Sequence, residues 1–171
     1  MSAVMRDQRH FEDLAVGDEL PVLRVGPLTS AHLMRWSAAI ENWHKIHYDE
    51  KFSIEHEKLP GLVVKGTLLQ QFITTFLKDW AGLESWSWKA KYQFRASVPV
   101  GSIVEIWGRV KRKLELADYG LIELDIGMRR IGAEPPEAAP GSALVALPYR
   151  GGKAVPYPFV APGDDPWSRA E

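Results

Sequence analysis

The stretch VKGTLLQQFITTFLKDW (residues 64–80), followed shortly by WSWKAKYQF (residues 86–94), decides how this chain folds. In the first part Leu68, Phe72, Phe76 and Trp80 recur every four residues, with Leu69, Ile73 and Leu77 beside them. Apolar residues at that period line one side of a helix, and a stripe two ridges wide predicts a largely buried helix over 64–80. In the second part the period drops to two. Trp86, Trp88, Ala90, Tyr92 and Phe94 alternate with Ser87, Lys89, Lys91, Gln93 and Arg95. That alternation predicts a half-buried strand with its aromatic residues on one face.

Towards the C-terminus, residues 103–116 read as a second long strand and Tyr119-Gly120 as the turn into a third. In that third strand Ile122, Leu124, Ile126 and Met128 alternate with Glu123, Asp125 and Gly127. Residues 132–141 are expected to form a Pro/Ala-rich loop and residues 142–147 the last strand. Towards the N-terminus, residues 19–25 read as a strand entered through the turn Val16-Gly17-Asp18. Thr29 or Ser30 caps a helix running to Ile40, with Leu33, Trp36 and Ile40 on one face. Residues 49–57 read as a short helix broken at Leu59-Pro60-Gly61. Helices grouped early and antiparallel strands grouped late predict an α+β domain. Its expected form is a curved antiparallel sheet wrapped around the long helix. One helix covers such a sheet incompletely, so pairing of two copies is expected. The domain is assigned to residues 11–149, between a flexible N-terminal tail (1–10) and a Pro/Gly-rich extended C-terminal tail (150–171). Phe159 and Trp167 are expected to pin parts of the latter.

With 171 residues the chain is long enough to bury a real core as one domain. A net charge of −1 gives no electrostatic footprint for nucleic acid or an anionic membrane. The absence of cysteine excludes disulfides, thiolate catalysis and cysteine metal sites, and fits a reducing cytoplasm. Neither a signal peptide nor a run long enough to span a bilayer is visible. Seven tryptophans suit either a thick core or a flat association surface.

Acid–base chemistry at neutral pH favours histidine. His10 falls in the tail, His32 on a helix and His56 among charges, where plain solvation explains each. His44 and His47 differ, because they lie three residues apart in the loop NWHKIHYD (42–49), between two apolar helices and flanked by Asn42 and Asp49. Loops braced by rigid elements are where catalytic groups concentrate. Spacing alone leaves open whether this pair serves a reaction or only satisfies the loop's backbone. A metal site from His44, His47 and Asp49 is a weak alternative, since no further cluster completes it and no metal is expected.

The order of segments, NWHKIHYD, then GLVVKGTL opening the long helix (61–68), then YQFRASVPVGSIVEIWGRV (92–110), resembles the MaoC-like hot-dog hydratases and dehydratases. Members of that family act on acyl-CoA or acyl-carrier-protein thioesters. Within it the chain looks most like the branch of mesaconyl-CoA hydratases and mitochondrial-type 3-hydroxyacyl-thioester dehydratases, which carries N-x-H-R-I-H-Y-D and G-L-V-V-H-G-P-L. The resemblance spans residues 11–147 and implies a single hot-dog domain. It departs from the pattern twice. Asn42 stands where the broader family has an aspartate, and asparagine takes no proton at neutral pH. Lys65 stands where the branch shows histidine, and a cation there alters the local field.

Hydration of an enoyl thioester needs a base for water, an acid for the α-carbon and a donor for the enolate-like oxygen. The resemblance implies proton transfer by His47, with Asn42 placing water or thioester and His44 as second proton carrier or as orienter of His47. Asp49 either fixes the loop, caps the next helix or contributes directly, and Tyr48 packs. Backbone N–H groups at a helix start suit the oxyanion, which selects Gly66, with Val64 and Lys65 beside it. Arg95, Lys89 and Lys91, together with the run Lys111-Arg112-Lys113, are candidates for CoA phosphates or for an ordinary charged sheet face. No cofactor is implied beyond CoA or phosphopantetheine carried by the substrate. A homodimer or higher oligomer is expected, or a heteromer with another hot-dog subunit, with no nucleic acid or membrane partner. Two alternatives stand beside the hydro-lyase: a non-catalytic subunit supporting an active partner, and a hot-dog thioesterase or cyclase using Glu41 or Asp49.

Overall fold

The computed structural model describes residues 7–134, 136–163 and 167. The elements run β1 (Leu23–Val25), α1 (Ser30–Ala39), α2 (Gly66–Ala81), β2 (Trp86–Tyr92), β3 (Val104–Glu115), β4 (Gly120–Arg130) and β5 (Glu137–Leu147). Short helical turns at Phe11–Asp13, Lys45–His47 and Phe52–His56 punctuate the N-terminal half. The strands form one antiparallel sheet in the order β1-β3-β4-β5-β2. No helix among the described residues is long and apolar enough to cross a membrane.

Helix α2 buries the two ridges expected of it, through Leu68, Leu69, Ile73, Phe76, Leu77 and Trp80. They meet one face of the sheet, where Val104, Ile106 and Val110 of β3 join Ile122, Leu124, Ile126 and Met128 of β4. Burying a side chain of this size contributes about 1.5–3 kcal/mol, so this layer supplies most of the fold's driving force. The helix begins at Gly66 rather than at Val64, because Lys65 is still extended (φ −65, ψ 136) and Val64 before it pairs with the Val98 carbonyl at 2.8 Å.

Several expectations need correction. The first strand is confined to Leu23–Val25 instead of residues 19–25. Glu19 makes only an isolated bridge to Arg109, and Pro21, having no N–H, interrupts the ladder. Ile40 sits beyond the last turn of α1 and is exposed, not on the buried face. The last strand opens at Glu137, five residues earlier than Ser142. Ala138 and Ala139 are fully buried there, and the Pro140 carbonyl accepts from the Gln93 N–H at 3.1 Å.

The largest correction concerns β2. Its alternation predicts one face for all five aromatic and small residues, yet a bulge between Ser87 and Lys89 shifts the register. A one-residue shift moves later side chains to the opposite face. Trp86 and Trp88 therefore lie on the outer face, away from α2, whereas Tyr92 packs against the inner core. The strand ends at Tyr92, and Phe94 lies outside it.

The outer face is covered by chain beyond β5. Val155 and Phe159 pack with Tyr119, Leu121, Leu144 and Trp88. Phe159 stacks on Trp86 at 5.8 Å, and the Tyr119 hydroxyl donates to the Val160 carbonyl at 2.9 Å. Trp167 packs against the same cluster. This cover explains why β4 is buried along nearly its whole length on both faces.

Candidate functional site

The site is built from the end of α1 through the start of α2. Asn42 donates its N–H to the Ser37 carbonyl at 3.1 Å, closing α1, while its Oδ1 accepts from the His44 N–H at 3.2 Å. Such a side-chain turn is a common way for asparagine to end a helix. His44 then caps the turn Lys45–His47, its Nδ1 accepting from the Ile46 N–H at 3.4 Å. The Ile46 carbonyl in turn accepts from the Val63 N–H at 3.2 Å, which ties this turn to the segment leading into α2.

His47 is only 7% exposed, and its Nδ1 lies 2.7 Å from the Val63 carbonyl. A carbonyl oxygen only accepts, so Nδ1 carries the hydrogen and the neutral ring presents a bare Nε2. By the same assignment from partners, His44 accepts at Nδ1 and presents Nε2–H. The two rings lie 6.2 Å apart, centroid to centroid. One ring thus has a free acceptor and the other a donor. Burial holds His47 below its ordinary titration range, and the positive charge of Lys65 and the neighbouring His44 ring push it the same way. The Val63 carbonyl opposes them. His47 is therefore a neutral imidazole near neutral pH.

Lys65 immediately precedes α2 and is 3% exposed. Its Nζ donates to the Asn42 carbonyl oxygen, and burial lowers the basicity of the amine. Gly66 opens α2, where the first N–H groups of any helix lack partners within it. Phe94 lies directly over Gly66. A Cβ added there would come within 3.1 Å of the Phe94 ring, so a larger residue would press that ring aside. A cleft of about 360 Å³ opens at this point, lined by Val64, Gly66, Leu69, Phe94, Arg95 and Val98.

Asn42, His44, His47, Val64, Lys65 and Gly66 are thus brought together by two adjoining segments. Asp49 sits at the edge, its Oδ1 accepting from the Phe52 N–H at 3.0 Å in a capping arrangement. Arg95 reaches the cleft beside Gly66. Lys89 and Lys91 pair with Leu144 and Ser142 on the outer face, where they lie over Trp88 and Trp167. The fold does not bring these two lysines to the site. Sequence reasoning missed the Val63 carbonyl, which fixes the His47 tautomer, and Phe94 as the cover of Gly66. It also missed the tie from Lys65 to Asn42. None of the three carries a local signal, because each depends on chain segments 16 to 28 residues apart meeting in space. Among the described residues no cluster of three or more His, Asp or Glu side chains is arranged to hold a metal ion.

Comparison with known proteins agrees with this architecture. Residues 18–102 match the family model described as hydroxyacyl-thioester dehydratase type 2. No curated protein matches the chain. Among solved structures, the R-hydratase PhaJ1 from Pseudomonas aeruginosa superposes with a TM-score of 0.71 at 14% identity, covering 82% of this chain and 86% of that one. An (R)-hydratase from A. caviae involved in PHA biosynthesis gives 0.68 at 23% identity, covering 80% and 99%. The ChsH1-ChsH2 complex from Mycobacterium tuberculosis gives 0.65 at 16% identity, covering 78% and 98%. At these identities the structures establish the fold, which is a single hot-dog domain. At the family level the chain is similar to hydratases and dehydratases of that fold.

Proposed function

We propose that this protein is a hydro-lyase acting on enoyl or 3-hydroxyacyl thioesters of CoA or an acyl-carrier protein, with His47 as its base. The observation that carries this is the bare Nε2 of a buried His47, held by the carbonyl of Val63 just ahead of the start of α2 at Gly66. In the hydration direction, Nε2 takes a proton from water as the water oxygen bonds to the β-carbon. The π-electrons of the α,β double bond move towards the thioester carbonyl. The Gly66 N–H at the positive end of α2 stabilises the oxygen on which charge gathers. A proton delivered to the α-carbon, from His44 Nε2–H or from protonated His47, completes the 3-hydroxyacyl product. Asn42 takes no proton and serves through its side-chain amide, whose Oδ1 already accepts from the His44 N–H. Arg95, at the cleft, is the residue placed to meet phosphate of the carrier. The similarity to the mesaconyl-CoA and mitochondrial-type branch rests on the two sequence motifs, with Lys65 as its departure.

A second assignment, a supporting subunit of a heteromeric hydratase, is favoured by Asn42 in place of an acid and by the likeness to a two-protein complex. A thioesterase is less well supported. Of the nearby carboxylates, Glu41 accepts from the Trp43 indole at 3.3 Å and Asp49 is occupied in its cap. The test is purified protein with crotonyl-CoA and with branched or dicarboxylic enoyl-CoAs, followed by loss of the enoyl absorbance. Turnover that vanishes in His47→Ala is expected. Activity appearing only on addition of another hot-dog subunit would support the second assignment, and release of free CoA without hydration would support hydrolysis.

A further inference from the structure

Lys65 is the most deeply buried cationic side chain of the described residues, and base chemistry by His47 does not by itself require a lysine there. Among the described residues no carboxylate pairs with it. Its one partner there is the Asn42 carbonyl oxygen, so two of its three N–H donors have no acceptor among them. An ammonium in that situation is penalised by burial, whereas a methionine of similar length would not be. A charge in such surroundings is felt strongly by the groups around it. The neighbours here are Asn42, which Lys65 holds directly, and His47, whose ring feels its charge.

We propose that Lys65 is a positioning residue of this site: its ammonium ties the Asn42–His44 turn to the start of α2 and keeps a fixed positive charge beside His47. The contacts stand on their own, while the catalytic consequence rests on the hydro-lyase assignment. The groups acting on His47 are Lys65 from the α2 side, His44 from its own turn and the Val63 carbonyl. No carboxylate is among them. The added charge therefore acts in one direction only, keeping Nε2 free of protons at pH values where an ordinary imidazole would begin to be charged. A histidine at position 65, as in the related motif, would lose its charge near neutral pH. Lysine does so only at higher pH, so the two residues set different electrostatics around the same base.

The experiment uses the full chain with Lys65→Met, which removes charge and donor, Lys65→Gln, which removes the charge but retains a donor, and Lys65→Arg, which retains both. His47 is followed by NMR titration of ring-labelled histidine, with His47→Ala assigning its resonance. The His47 midpoint is expected to move to higher pH in the methionine and glutamine variants and to stay near the parent value in the arginine variant. Exchange of the Asn42 and His44 amides is expected to quicken in the methionine variant. Where the parent is active, the acid limb of its kcat/KM profile moves up in pH together with the His47 midpoint. An unmoved or lowered midpoint in both neutral variants would overturn the proposal, as would an equal upward shift in the arginine variant. A parent inert towards every enoyl thioester, but with the titration shift intact, would overturn the hydro-lyase assignment while supporting the role of Lys65.

Discussion

The two ends of helix α2 are finished in opposite ways. At its C-terminus Gly82 takes φ +93, a conformation that ends a helix and suits glycine. The Gln8 side chain then closes over that end. Its Nε2 donates to the Ala81 carbonyl at 2.9 Å, and its Oε1 accepts from the Glu84 N–H at 2.8 Å. The Arg9 N–H adds a second bond to Ala81 at 3.2 Å. At the N-terminus the buried residue is a cation without a carboxylate, the first residue is a glycine, and an accessible cleft lies alongside. One end is sealed for stability. The other keeps polar groups partly unsatisfied, which a fold tolerates where a ligand completes them.

This contrast can be broken by mutation. The largest effect is expected from His47→Ala, which should lower kcat/KM for enoyl-CoA hydration by about 10²–10⁴-fold, as measured by loss of enoyl absorbance. Its circular dichroism should stay that of the parent. Next is Ile73→Ala in the middle of α2, 1% exposed, which should cost about 2–5 kcal/mol in urea unfolding and weaken both ends of the helix together. Gln8→Ala, which removes the bonds to Ala81 and Glu84, should cost about 1–3 kcal/mol by the same measurement. Turnover should be unchanged, because the sealed end is remote from the site in sequence and function. A loss of activity in Gln8→Ala equal to that in His47→Ala would show that the two ends are not independent.

The smallest effect is a dependence on pH. His47 titrates below its ordinary 6.5 in the folded chain. As pH falls through 6.5 the unfolded chain takes up this proton and the folded chain does not, so stability is lost over that interval. Below the folded value the loss stops growing. Urea unfolding at several pH values on either side of 6.5 should show this slope, and the slope should be smaller in His47→Ala.

Much of this was legible in the chain. Two ridges at helical spacing in residues 64–80 specified α2 and its burial, because the 3.6-residue period leaves few other ways to hide seven large apolar side chains. The motif NWHKIHYD singled out His47, and GLVVKGTL placed the helix start beside it through resemblance. The β2 alternation misled for a physical reason. A single bulged residue inverts the faces beyond it, and whether a bulge forms depends on the partner strand β5 rather than on β2. Lys89 and Lys91 could not be separated from Arg95 by alternation either, because the strand ends at Tyr92 and alternation does not show that end. All three share one sequence parity, but the lysines point to the outer face and Arg95 lines the cleft.

The sequence by itself determined the elements, the burial of α2 and the residues of the loop, since period and side-chain chemistry act locally. Only the tertiary structure decided what those residues face. The Val63 carbonyl fixes which nitrogen of His47 is bare, and Phe94 packs closely over the glycine at the start of α2. Lys65 is joined to Asn42 across 23 positions of chain. Hydrogen bonds and charges depend on distance in space, and no spacing along the chain encodes that distance.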